Sequence, residues 1–558
     1  KEYFDLEFLG PKGISLQQVV YTQKPRTDLF SAFNILGVRL RKLNVLPELV
    51  QTNPGNIFSA DERERTTGVK LTAQVDGAKG TIRFGGEERA YAFAKAGDSE
   101  TFTFDLPGED VGLSETPLVV TDGNETFAHT VVSCVLPEAG RLATPEESPY
   151  CTWWFSAHGS PADPALGGPI LSKAGIPKLS WNRVYKKEHH EKYHTASAGY
   201  VYGPRPGDFD AKTGAFRDEK GVVERMKKEI AEKSFVDHIM VWHEDAPRYG
   251  IPEELLNLPV PTNNVAQEKA SAAFINAVGR LCRQHFPDLK IQIGNSLASI
   301  GAVTVPLRGG ANPDYYDQIG IEMPSQTMPP ERFLDCCFLG QNLTKAIAKK
   351  LSGRDIPSAG CYEFIYRIAR DEGWKGEDAV AEHIMRDILI SLMNRYTLIA
   401  PLQLFDNRNA YCNTIWGVCG LLFREPYVYP KKTFLAYSVL TKALDGVTFT
   451  REIPTGSSTV YASEFVRKDG KYATAFWCAR GAADLVCDLR GELWTMYGGR
   501  EKVGGWFSDA KFTCSVAPVY VISDKPCKSL RIAARHFPDD ARVMATAKDV
   551  VAFRADDF

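Results

Sequence analysis

One rhythm restricts this chain more than any other feature. From Cys151 to Leu444, short apolar runs alternate with amphipathic helical patterns. The runs begin with Cys151-Thr-Trp-Trp-Phe, Lys178-Leu-Ser-Trp, Tyr200-Val-Tyr202 and Ile239-Met-Val-Trp242. They continue with Leu289–Gly294, Tyr316–Met323, Ser358–Tyr366 and Ile399–Phe405. Between them, Gly168–Ala174, Lys220–Lys233, Ala266–His285, Glu331–Leu351 and Glu377–Tyr396 carry apolar residues at helical spacing, and Pro430–Leu444 follows the last run. Runs this short and this apolar are those of strands buried on both faces, and parallel strands need a crossover helix between them.

Eight such units over about 290 residues predict an α/β fold, a (β/α)8 TIM barrel, since that is the size and repeat of the architecture. The competing doubly wound sheet would place a Gly-rich phosphate loop after its first strand. The first run here ends in Ala157-His-Gly-Ser-Pro and lacks that fingerprint. On either side the pattern is different. Residues 1–147 show short alternating runs punctuated by Asp76-Gly77, Gly85-Gly86 and Asp122-Gly123-Asn124, which predicts an N-terminal β-sandwich. A single short helical piece is expected near Leu29–Leu36. Residues 446–525 alternate again, with a hairpin signal at Lys468-Asp469-Gly470, and predict a small C-terminal β-sandwich domain. The expected division is therefore 1–147, a catalytic barrel over 148–445, 446–525, and an extension over 526–558.

Composition narrows the function classes. A net charge of −3 supplies no basic field, which argues against nucleic acid as a partner. No run of 18 apolar residues exists, so no membrane-spanning helix is expected. The 12 cysteines show neither CxxC nor zinc spacing; most read as buried thiols, although an even count permits disulfides. His189, His190, Glu191 and His194 cluster, but two adjacent histidines in a solvated loop do not make a metal site, and none is expected. Neither a metal nor any other cofactor is required. Homo-oligomerisation is compatible with the sequence.

The chemistry is expected where strands end, because a barrel builds its site at the C-terminal ends of its strands. Two carboxylates occupy such places: Glu244, after Ile239-Met-Val-Trp-His243, and Glu363, within Gly360-Cys-Tyr-Glu. Hydrolysis of a glycosidic bond needs a pair of carboxyl groups flanking it, one protonated and one ionised. Trp242 and His243 give Glu244 the less ionic setting and suggest it as acid/base. Arg183 would hold Glu363 ionised as the nucleophile. Glu322 is the rival nucleophile. His158, His194, Asn295, Asp406 and Trp416 complete the set of candidate sugar-binding groups, together with Arg183, Trp242, His243 and Glu322.

These residues, in this order, resemble clan A glycoside hydrolases, the retaining (β/α)8 enzymes, and within them the group around families 39 and 51. Ala174-Gly-Ile-Pro-Lys-Leu-Ser-Trp-Asn-Arg183 is similar to the segment that ends in the clan's arginine beside the nucleophile. Trp242-His-Glu244 is similar to its acid/base strand tip, and Tyr362-Glu363 to its nucleophile strand. Phe423–Tyr437 is similar to its last helix. The resemblance covers roughly residues 150–525 and implies hydrolysis of a poly- or oligosaccharide with retention, through a glycosyl-enzyme intermediate. The clan usually has Asn immediately before the acid/base, and this chain has His243, which can still donate a hydrogen bond to a sugar. A secreted or periplasmic enzyme is expected, its signal peptide removed. A non-catalytic carbohydrate-binding protein on a barrel scaffold and a polysaccharide lyase are the alternatives.

Overall fold

The computed structural model describes residues 4–9, 37–42, 44–153 (except 109 and 124), 163–180, 184–241, 262–294, 299–320, 330–331, 341–363 (except 357), 377–406 (except 402) and 420–536 (except 425, 426 and 506). The helical piece expected near Leu29–Leu36 lies outside them. Two compact units emerge. One comprises 1–140, 155–174 and 403–439; the other comprises 141–154, 175–402 and 440–558. They cut across the consecutive division expected from chain order.

In the first unit, two antiparallel layers enclose one apolar core. Val45–Val50, Thr66–Ala73 and Ser99–Asp105 form one layer. Ile57–Ser59, Glu125–Leu136, Gly112–Asp122, Lys79–Phe84 and Glu87–Ala92 form the other, whose only parallel pair joins Ile57–Ser59 to Glu125–Leu136. Alternate residues of both, among them Val69, Phe102 and Phe104 from the first and Ile82, Phe84, Leu118 and Val120 from the second, meet in the core. Period-two alternation in sequence is what turns one side of each strand inward.

The second unit contains a curled parallel sheet. Its strands are Cys151–Trp153, Lys178–Ser180, a third in two pieces (Ala196–Ser197 and Gly199–Tyr202), Val236–Met240, Lys290–Ile293, Gln318–Gly320, Ser358–Glu363 and Leu398–Pro401. They are called strands one to eight below. Each pairs in parallel with the next in chain order, the first piece of strand three with strand two and the second with strand four. Ile399 of strand eight then bridges in parallel to Tyr150, which leads into strand one. Two further bonds hold that junction: the Ile399 N–H donates to the Pro149 carbonyl at 2.8 Å, and Thr152 Oγ1 donates to the Pro401 carbonyl at 3.1 Å. Tyr150, fully buried, donates its hydroxyl to the Leu444 carbonyl at 2.8 Å.

Helices Glu219–Glu232, Thr262–His285, Gln341–Ser352 and Glu377–Met393 separate these strands; all but the third, expected to begin at Glu331, match their expected ranges to within a few residues. Asp218 caps the first of them, accepting from the Gly221 N–H. Helix Ser299–Arg308 was not expected. Pro306 and the β-branched Ile300, Val303, Thr304 and Val305 disguise it, being poor helix formers on their own. Glu331 lies in a turn rather than a helix, and strand eight stops at Pro401 instead of reaching Phe405.

After helix Lys432–Ala443 the chain builds a second pair of antiparallel layers. The larger has six strands in the order Thr448–Glu452, Val460–Val466, Tyr472–Cys478, Val519–Ser523, Gly491–Thr495 and Arg500–Val503. The smaller has Ala510–Ser515, Ala482–Cys487 and Leu530–Arg535. Leu530–Arg535 pairs with Ala482–Cys487, so the sheet continues past residue 525, where an extension was expected to begin. These layers are tied to the parallel sheet's surroundings by a buried polar cluster. Glu331 accepts from Arg386 at 2.9 Å and from the Trp477 indole N–H at 3.0 Å, and Arg386 also donates to the Ala479 carbonyl. No helix among the described residues is long and apolar enough to cross a membrane.

Gly294, at the end of strand five, has φ +124°, and a Cβ there would lie 2.2 Å from the Gly320 carbonyl oxygen of strand six. Gly294→Ala is therefore expected to cost about 2 kcal/mol or more, from backbone strain and that clash. A urea titration would show this as a lowered midpoint; an unchanged midpoint would mean the two strand ends are not held this close.

Candidate active site

The parallel sheet has two unlike faces. Leu179, Val201, Ile239, Ile291, Ile293 and Ile319 are fully or almost fully buried on one. The residues that alternate with them are of another kind: Lys178 and Ser180, Tyr200 and Tyr202, His238 and Met240, Gln292, Gln318. Register lines these up, since Tyr200 pairs with His238, Met240 with Gln292, and Gln292 with Gln318. The Ser180 and Tyr200 hydroxyls are 2.5 Å apart, and the Tyr200 ring lies 6.1 Å from that of His238. His238 Nδ1 is 2.6 Å from Asp237 Oδ1, and this hydrogen bond helps hold the Asp237 carboxyl below its ordinary range against the opposing effect of burial. Among the described residues, His238 Nε2 and Gln318 Oε1 are buried without a hydrogen-bond partner. Buried polar atoms are seldom left so. This face is largely polar and buried, which the short apolar runs did not announce; its only trace in the sequence is the polar residues that recur at alternate positions, interrupted by Met240.

All the strands run the same way, so their C-terminal ends share one edge of the sheet. Strand four reaches it at Met240 and Val241; the Val241 N–H donates to the Gln292 carbonyl at 3.0 Å and keeps the chain in register to that point. Glu244 follows three residues later, and it lies outside the described residues together with Trp242 and His243. Glu363 is the last residue of strand seven, its Cα paired with that of Pro401 in strand eight. The backbone at Glu363 therefore stands on the same edge as the end of strand four, three strands away in the sheet order. His158, Arg183, Asn295, Glu322 and Trp416 also lie outside the described residues.

The other two candidates are described. His194 is exposed, in the left-handed conformation (φ 51°) at the end of helix Lys187–Tyr193, and its carbonyl accepts from Arg141. It stands two residues before strand three begins, at the N-terminal edge of the sheet and not at the edge where Glu363 ends its strand. The helix ahead of strand three thus delivers His194, a candidate sugar-binding residue, to the end of the sheet opposite Glu363. Asp406, in the first unit, is buried. Its Oδ1 accepts from Lys431 Nζ at 2.6 Å and from the Gly420 N–H at 3.0 Å, while Oδ2 has no hydrogen-bond partner among the described residues. Burial pushes its pKa up, and Lys431 opposes that shift.

Of the other histidines near His194, His189 Nδ1 accepts from the Lys186 N–H, closing the first turn of its helix. His190 is buried, with Nδ1 3.0 Å from Thr195 Oγ1 and Nε2 3.5 Å from Ser197 Oγ. Desolvation, with smaller contributions from His189 and Lys233, pulls its pKa down to about 4.

No protein-family model and no curated protein matches the sequence. Among solved structures, a family 39 glycoside hydrolase from the gut symbiont Bacteroides cellulosilyticus WH2 superposes with a TM-score of 0.50 at 14% identity, over 85% of this chain and 100% of that one. That likeness is one of fold. A β-glucuronidase from Parabacteroides merdae (TM-score 0.35, 8% identity, 87% of this chain, 75% of that one) and β-glucuronidase 2 from Bacteroides uniformis (0.36, 9%, 84% and 57%) are too remote to build on.

A group with a depressed folded pKa stabilises the native state above its unfolded value and ceases to do so as pH falls. His190 should therefore cost the fold up to about 3 kcal/mol as pH drops from 6.5 toward 4. His190→Gln, which keeps a polar side chain but cannot titrate, is expected to flatten that part of the stability curve. Unfolding free energies at pH 7 and pH 4.5 would test it; an equal acid loss in both proteins would place the titrating group elsewhere.

Proposed function

We propose that this protein is a retaining glycoside hydrolase acting on a poly- or oligosaccharide at the C-terminal mouth of a (β/α)8 barrel. Glu244 is its acid/base and Glu363 its nucleophile. The observation that carries the reading is the common edge: one parallel sheet brings the end of strand four, just before Glu244, and Glu363 itself to the same side. The bridge from Ile399 to Tyr150 supports closure of that sheet into a barrel. The fold shared with a family 39 glycoside hydrolase supports the same class of reaction.

In the proposed double displacement, Glu363 as a carboxylate attacks the anomeric carbon while Glu244, protonated, gives its proton to the leaving oxygen. A covalent glycosyl-enzyme results. Glu244, now ionised, takes a proton from water, which attacks the same carbon and releases the sugar with its configuration retained. Such a pair works with carboxyl groups roughly 5–5.5 Å apart. Arg183 is assigned to keep Glu363 ionised, and His243 to hold a sugar hydroxyl. Residence outside the cytoplasm accords with a polymeric substrate.

Glu363→Gln is expected to lower kcat at least about a thousandfold with an unchanged melting temperature, as removal of a covalent nucleophile should. Nitrophenyl glycosides and a polysaccharide panel provide the assay, and wild-type turnover in this variant would overturn the assignment. Glu244→Ala should retain activity only on substrates with good leaving groups, and azide should restore turnover by trapping the intermediate as a glycosyl azide. Full activity without azide would place the acid elsewhere.

A further inference from the structure

Four cysteines of the C-terminal β-structure are gathered in two pairs. Cys478 ends a strand of the six-stranded layer, and Cys514 lies in Ala510–Ser515 of the facing three-stranded layer. Their sulfurs are 3.5 Å apart. Cys487 ends the central strand of the smaller layer, and Cys527 lies in the connection between Val519–Ser523 of one layer and Leu530–Arg535 of the other. The chain on either side of that second pair is tied together: the Lys528 and Ser529 N–H groups, next to Cys527, donate to Oδ1 of Asp488, next to Cys487, at 2.9 and 3.1 Å. All four are buried in the same core, with Phe476, Leu485, Leu493 and Val521.

Two pairs among twelve cysteines, both in one small core, are more than packing requires. A buried thiol packs as a small apolar group and needs no second thiol beside it. A sulfur–sulfur approach of 3.5 Å across two layers leaves the sulfurs about 1.5 Å beyond a disulfide bond of about 2.05 Å. Each bond would also close a long loop, with 36 residues separating Cys478 from Cys514. A cross-link restricts the unfolded chain more the longer the loop it closes.

We propose that, when the chain folds under oxidising conditions, it forms two disulfide bonds, Cys478–Cys514 and Cys487–Cys527, which staple the two C-terminal layers together. The oxidant is a disulfide of the glutathione class. A chain thiolate attacks it and expels one glutathione thiolate, leaving a mixed disulfide. The partner cysteine, as its thiolate, then displaces the second glutathione. Each bond thus removes two protons and two electrons from the chain and reduces one disulfide to two thiols. Because all four sulfurs are buried in the folded core, exchange takes place before the layers close. The assignment does not depend on the glycosidase reading.

The test is to unfold the full chain with reductant, refold it in mixed oxidised and reduced glutathione, block free thiols, digest without reduction and map cross-linked peptides by mass spectrometry. Two cross-linked species are expected, joining the peptides with Cys478 and Cys514 and those with Cys487 and Cys527, each lighter by two hydrogens than its reduced halves. The oxidised protein should melt higher than the reduced one by about 5 °C or more. Cys514→Ala combined with Cys527→Ala should abolish that difference. Free thiols at these positions after oxidative refolding, bonds to other cysteines, or equal melting temperatures of the two forms would overturn the proposal.

Discussion

Parallel pairing of successive strands is the constraint on which the rest of the larger unit depends. Parallel neighbours cannot be joined by a tight turn, so every strand must be followed by a return of a dozen or more residues. That requirement separates the strands in sequence and supplies helices such as Glu219–Glu232, Thr262–His285 and Glu377–Met393. It also sorts the chain by direction. Whatever follows a strand is delivered to one edge of the sheet, and whatever precedes a strand to the other. Glu363 and the end of strand four fall on one side of that division, and His194 on the other.

The same sheet resolves a conflict between burial and polarity. Its strands are too short and too covered to expose a polar face to water, yet Lys178, Ser180, His238, Gln292 and Gln318 are all buried there. Burying such groups is costly unless they bond to one another. The Ser180–Tyr200 hydroxyl pair and the Asp237–His238 pair meet that need locally, and the aliphatic face carries the apolar packing. Buried charge is handled similarly where Glu331 meets Arg386 and Trp477. One carboxylate oxygen accepts from both, and the C-terminal layers are thereby joined to helix Glu377–Met393.

Much of this was legible in the sequence. Apolar runs of strand length separated by helical periodicity made the order of elements readable from Cys151 onward, because burial imposes different periods on strands and helices. Turn signals such as Lys468-Asp469-Gly470 marked the hairpins on either side. The candidate carboxylates stood out because each ended a run. What escaped were features with no local signature. Helix Ser299–Arg308 is built from poor helix formers and is held by its surroundings. Leu530–Arg535, rich in charge, is a strand because Ala482–Cys487 offers it an edge.

Short-range periodicity, and the places where the runs stop, set the alternation of elements and the residue types at the strand ends. Which face of each strand is polar, which edge receives His194, and the meeting of Cys478 with Cys514 were left to the folded state. These depend on register and pairing between segments far apart in the chain, and the energy of such contacts is not written in any one segment.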